Sequence, residues 1–197
     1  MKKTSHLLMG GLLLEYAEQY FQVALDRRRF LLGNVLPDYL PSFLSRPHFL
    51  KYSTDHVKKL TQKLLLRLPL SFEPQKRRAR YALRLGMLCH FYTDFFCHAH
   101  SPRFKEDPRK HTAYEIALAR YFRENYDSIQ ELTVLARAEE GLSADEMFAR
   151  FERLQERYLK AEQTLLNDIV FGFYACVELI VMLAQSAAGM AGKLETA

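Results

Sequence analysis

The stretch His90-Phe91-Tyr92-Thr93-Asp94-Phe95-Phe96-Cys97-His98-Ala99-His100, followed by His111-Thr112-Ala113-Tyr114-Glu115, decides how this chain is read. Four of the seven histidines fall between His90 and Glu115. The pairs His90/Asp94 and His111/Glu115 are four residues apart, a separation that puts both side chains on one face of an α-helix. Imidazole nitrogen and carboxylate oxygen are ligands that zinc accepts, at roughly 2.0–2.2 Å. Helices that carry two metal-binding pairs are the first expectation.

On the N-terminal side of this stretch, a long helix is expected from about residue 75 to 98. It opens on the basic run Lys76-Arg77-Arg78-Ala79-Arg80, read as a solvated face, and is almost wholly apolar from Leu85. Further upstream, helices are expected over about 6–24 and 56–68. Between them Gly33-Asn34, Pro37 and Pro41 force an irregular loop to about residue 53.

On the C-terminal side, Ser101-Pro102 ends the long helix and a charged loop runs to Lys110. A helix follows from about 111 to 126, continuing towards 140. Gly141-Leu142-Ser143 breaks it, and Ser143-x-x-Glu146 is a capping-box pattern ahead of an amphipathic helix over 145–163. Residues 169–188 are apolar on nearly all sides. Glu178 and Gln185 interrupt them, so they read as a buried central helix rather than a transmembrane span.

The chain's 197 residues suffice for one hydrophobic core, and one all-α domain over 1–197, a helical bundle of six or seven helices, is expected. Apolar residues make up 49% of it, which excludes general disorder. The net charge of +5 suits an anionic partner such as phosphate, phospholipid or nucleic acid. Cys89, Cys97 and Cys176 form no paired framework and argue against a disulfide-stapled secreted domain. Met1-Lys2-Lys3 and the apolar residues 7–14 imitate a signal peptide, but Glu15 and Glu18 interrupt it and no small-x-small site follows. It reads as the first core helix, and a cytoplasmic, membrane-associated location is expected.

The residues His90-x3-Asp94-x5-His100 and His111-x3-Glu115 resemble the signature of the zinc-dependent phospholipase C family, which is related to the single-strand-specific trinuclear zinc nucleases. His6, Asp38 and His48 match the family's upstream positions in order, and the resemblance spans residues 6–115. It implies a phospholipase C-type all-α fold and two or three zinc ions. One ion would take His48, His90 and Asp94; a second, His100, His111 and Glu115; a third would share Asp94 and add His6. Asp38 would be the general base or orienter of the attacking water. Helix spacing alone would choose His98 where the resemblance chooses His100. His56, after Asp55, is a weaker substitute for His48. Family members complete the third site with the amino and carbonyl groups of an N-terminal Trp, and this chain has no Trp.

The implied activity is zinc-dependent hydrolysis of a phosphodiester, in a phospholipid or its head group, with peripheral membrane contact. The alternatives are a single-strand nuclease, for which the basic helices are the motive, and a metal-binding protein without turnover.

Overall fold

Two glycines set how the helices meet. The computed structural model describes residues 1–21, 25–40, 50–65, 75–104, 107–133 and 144–195. Among these, α1 spans Lys3–Phe21, α2 Arg27–Gly33, α3 Leu50–Leu65 and α4 Gln75–Phe95. They are followed by α5 over Pro108–Glu124, α6 over Tyr126–Thr133, α7 over Ala144–Lys160 and α8 over Leu165–Glu195. A Cβ on Gly33 would come within 2.1 Å of the Leu83 carbonyl oxygen, and one on Gly86 within 2.1 Å of the Phe30 carbonyl oxygen. Only glycine allows so close an approach of backbones. The two helices run side by side in the same direction, Asp26 and Arg29 lying by Lys76 and Arg80, and Asn34 by His90.

The fold is all-α, with no strand among the described residues. Several boundaries differ from expectation. The loop after Gly33 contains a 3-10 turn, Leu36–Asp38, with Pro37 near its start. The short α2 was not foreseen behind its three arginines. The Asp26 side chain caps it by accepting from the Arg29 amide at 3.0 Å. The helix expected from residue 56 starts at Leu50, so Ser53-Thr54-Asp55 lies inside it, with Ser53 buried. Packing outweighs a polar triplet that could have been a cap. The helix expected from His111 starts at Pro108, because Asp107 accepts from the amides of Arg109 and Lys110 and Pro108 has no amide to satisfy. It stops at Asn125 and resumes as α6. The long helix ends at Phe95, and a separate 3-10 turn, His98–His100, follows. The proposed capping residue Ser143 lies outside the described residues.

The apolar α8 is the central helix. Its stretch Leu165–Ala184 is long and apolar enough to cross a bilayer, yet 61% of that stretch is buried within the protein. A Cβ on Gly172 would lie 3.4 Å from the Cα of Thr93, so α8 packs closely on α4 there. Glu178 pairs with Arg150 of α7 at 3.3 Å. Beneath the end of α4, Phe151 packs edge-on against Tyr92, Phe95 and Phe96, at 4.9, 6.0 and 5.5 Å between centroids. Aromatic pairs in this geometry add to the area they bury. They give the last turn of α4 a rigid floor.

Candidate metal centre

The final two turns of α4 carry His90, Thr93 and Asp94, all buried. His6 of α1 stacks on His90 with ring centroids 3.9 Å apart. Asp94 lies between them and divides its oxygens, Oδ1 being 3.3 Å from His6 Nε2 and Oδ2 3.4 Å from His90 Nε2. Donor atoms of His6, His90 and Asp94 all lie within 4.8 Å of one another, so the three could hold a metal ion.

The hydrogen bonds around this group fix which imidazole nitrogens carry protons. His90 Nδ1 is 2.9 Å from the Asn34 carbonyl oxygen, to which it donates, so Nε2 keeps its lone pair. Thr93 Oγ1 is 2.8 Å from the His90 carbonyl and 3.0 Å from that of Cys89, which take its one proton. It therefore accepts from His6 Nδ1, at 3.2 Å. His6 Nε2 is left buried with no hydrogen-bond partner, facing a carboxylate oxygen. A buried lone pair aimed at an anion is costly unless a cation lies between them, and hydrogen bonds that lock the outer nitrogen are usual for histidines that bind metal. The residues fit a divalent ion such as zinc.

A second group forms beside it. His100, from the 3-10 turn, and His111 and Glu115, from α5, also place donor atoms within 4.8 Å of one another. Glu115 Oε1 is 3.1 Å from His100 Nε2 and 3.3 Å from His111 Nε2. Between the two groups lies the amine of Met1, which contacts Asp94 and is 3.1 Å from Glu115 and 3.4 Å from His100 Nε2. Burial works against the charge of this amine. Asp94 and Glu115 outweigh it and push the amine up to about 11. Burial alone would raise Asp94, but the amine, His100, His6 and His90 hold it well below the usual carboxylate range. Glu115 is likewise lowered, its burial outweighed by His100 and the amine. Burial and the neighbouring His100 lower His111 and favour its neutral, ligand-competent form.

Asp38 reaches the first group from the 3-10 turn of the connecting loop, with Oδ1 3.6 Å from His90 Nε2 and the side chain 29% exposed. Gly33 and Gly86 bring that turn against α4. His48 lies outside the described residues. His56 packs edge-on to Phe91 at 6.0 Å and belongs to neither group. His98 faces away, its ring 5.4 Å from those of Phe104 and Tyr114. The resemblance distributes His6 and His90 over two ions. In the structure both stand in one group with Asp94.

Sequence reasoning did not find Thr93, Asn34 or Asp168. The fully buried Asp168, at the start of α8, accepts from the His98 amide at 2.8 Å and from the hydroxyls of Tyr114 and Tyr158 at 2.9 and 2.7 Å. Gln163 donates to it at 3.1 Å. It thus ties together the turn that presents His100 and the helix that presents Glu115. Its one signal in the sequence is an acid opening an apolar run, which reads equally well as a first-turn acid favoured by the helix dipole. Cys97 is buried next to Asp94 in sequence range of this network, and burial pushes its thiol up, so it stays neutral.

No curated protein and no solved structure matches this chain. The sequence profile of the zinc-dependent phospholipase C family matches residues 5–165. That match covers every residue of both groups and most of the chain, and with it the protein belongs to the zinc-dependent phospholipase C family.

Proposed function

We propose that this protein hydrolyses a phosphodiester of a phospholipid or its head group at the two adjoining groups. The observation that carries this reading is the shared position of Asp94, whose two oxygens face His6 and His90 while the Met1 amine links it to the His100/His111/Glu115 group. We assign one zinc ion to each group. The contribution of Asp94 to a third ion, with His48 joining His90, follows from the family resemblance. Closely spaced zinc ions polarise a phosphoryl oxygen, make water acidic enough to attack near neutral pH and stabilise the leaving oxygen.

The chain's own residues orient that chemistry. Asn34 and Thr93 keep the Nε2 lone pairs of His90 and His6 turned inward. Asp38, on the partly exposed side, takes the proton of the attacking water. Tyr39, 59% exposed beside it, offers an apolar rim to a lipid. The test is turnover of a chromogenic phosphocholine diester, with elemental analysis of the same preparation. At least two zincs per chain and turnover abolished by chelation are expected. Bound zinc without turnover would leave a metal-binding protein, and degradation of single-stranded DNA in place of the diester would leave a nuclease; either overturns the lipid reading.

A further inference from the structure

Away from the metal groups, the parallel packing of α2 and α4 brings two basic runs together. Residues 27–29 open α2, residues 76–80 open α4, and their arginines and lysine are exposed. Arg29, Lys76 and Arg80 line a groove of about 430 Å³ between the helices, with Asp26 and Gln75. With these two runs set aside, the basic and acidic residues elsewhere in the chain nearly balance, so the net charge of +5 is concentrated at this end.

The charge does not stand alone. Leu32 is 42% exposed and lies three and four residues after Arg29 and Arg28, on the same face of α2. The chain then passes through the 3-10 turn to Tyr39, over whose ring Lys3 sits at 5.9 Å. A single strip therefore leads from the cationic end, past an exposed leucine, to an exposed tyrosine beside Asp38. Along α4 the strip is about 18 Å long, counting 1.5 Å per residue from Arg78 to His90.

We propose that this strip is a docking face for the surface of an anionic lipid bilayer. The proposal rests on the phospholipid reading above and adds the surface by which the substrate's membrane is met. Cations near an anionic leaflet contribute individually and are screened by salt. Leucine and tyrosine at the rim suit the boundary between head groups and acyl chains, where an amphipathic ring settles. Single-stranded nucleic acid is the less favoured partner, because neither basic run carries an aromatic side chain on which bases would stack.

The experiment is sedimentation of the full-length, metal-loaded protein with unilamellar vesicles. Those of equimolar phosphatidylcholine and phosphatidylserine are compared with those of phosphatidylcholine alone, at low and physiological salt. Preferential, salt-sensitive binding to the anionic vesicles is expected. Combined Arg28→Glu, Lys76→Glu and Arg78→Glu should weaken it by about a hundredfold or more, at roughly 1 kcal/mol per cation. Leu32→Ser with Tyr39→Ser should weaken it several-fold. The charge reversals at Arg28, Lys76 and Arg78, exposed and away from both metal groups, should leave the melting temperature and hydrolysis of a soluble short-chain diester unchanged. Equal binding to both vesicle types, or undiminished binding by the charge-reversed variant, would overturn the proposal. So would a single-stranded oligonucleotide that binds and that anionic vesicles cannot displace. Vesicle binding without turnover of the soluble diester would uphold docking and sink the catalytic reading, and the converse would sink docking alone.

Discussion

The two candidate metal groups are built from the same residue types in different ways. His6, His90 and Asp94 are wholly buried, and two come from the rigid last turns of α4. The outer nitrogens of its histidines are tied to a backbone carbonyl and to a threonine that is itself tied to the backbone. In the second group the His111 side chain is 29% exposed, against 8% for His100, and His100 comes from a short 3-10 turn. That group takes its order from Asp168, through His98 and Tyr114, which neighbour His100 and Glu115, rather than through its own three side chains. The first group is preorganised by its helix. The second is held from behind.

The most severe way to break this comparison is Asp94→Ala, which removes the carboxylate that His6 and His90 share and that lies 3.8 Å from His100 of the second group. Zinc content should fall below one per chain and diester hydrolysis to background, as measured by elemental analysis and the chromogenic assay. If one full equivalent of zinc stayed bound at unchanged affinity, the second group would be independent of the first.

Two further substitutions separate the groups. Asp168→Asn leaves a carbonyl oxygen and an amide where a carboxylate received four donors. It should cost about 2 kcal/mol of stability, as buried donors lose their acceptor. It should also weaken zinc at the second group, with the first unchanged. Thr93→Val keeps the shape of the side chain and removes the acceptor of His6 Nδ1. Loss of such an outer partner weakens metal binding by about 10–100-fold, here at the first group, while thermal stability changes little. Cobalt substitution distinguishes the two, since each site contributes its own absorption as it fills. The same sites weakened by both variants would refute the division of labour.

Much of this was legible in the sequence, and the reasons for the rest are physical. The all-α class follows from the helical spacing of apolar residues, and the pairs His90/Asp94 and His111/Glu115 follow from helix geometry. Spacing cannot show how a chain leaves a helix. His98, four residues after Asp94, is the natural third ligand of an unbroken helix, but α4 stops at Phe95 and the 3-10 turn swings His98 towards Phe104 and Tyr114. The family resemblance, not periodicity, pointed to His100. Asp38 could be placed on a loop, yet its approach to His90 depends on Gly33 and Gly86, whose backbone contact links residues far apart in the chain. Thr93 left no local signal, and Asp168 only that of an acid opening an apolar helix, which the helix dipole explains equally well. Their roles exist only once α1, α5, α7 and α8 have closed around α4.

A change of pH, with no substitution in the wild-type protein, sharpens the comparison further. Burial holds the Asp168 carboxyl above the usual range, at about 6, although the His98 amide and the two tyrosine hydroxyls work to lower it. A carboxyl raised in the folded state stabilises the protein fully below its unfolded pKa of 3.8 and loses that contribution as pH rises through about 6. Wild-type stability, measured by urea unfolding of the metal-free protein, should therefore lose a contribution on the order of 2–3 kcal/mol between pH 4 and pH 7. Asp168→Asn cannot titrate there and should lack that component of the slope. Taking the difference between the two proteins cancels the histidines and carboxylates of the metal groups to the extent that they titrate alike in both. A difference that stays flat across this range would mean that the four donors fully offset burial. The hub behind the second group would then be a charged anchor throughout, as tightly specified as the hydrogen bonds that order the first.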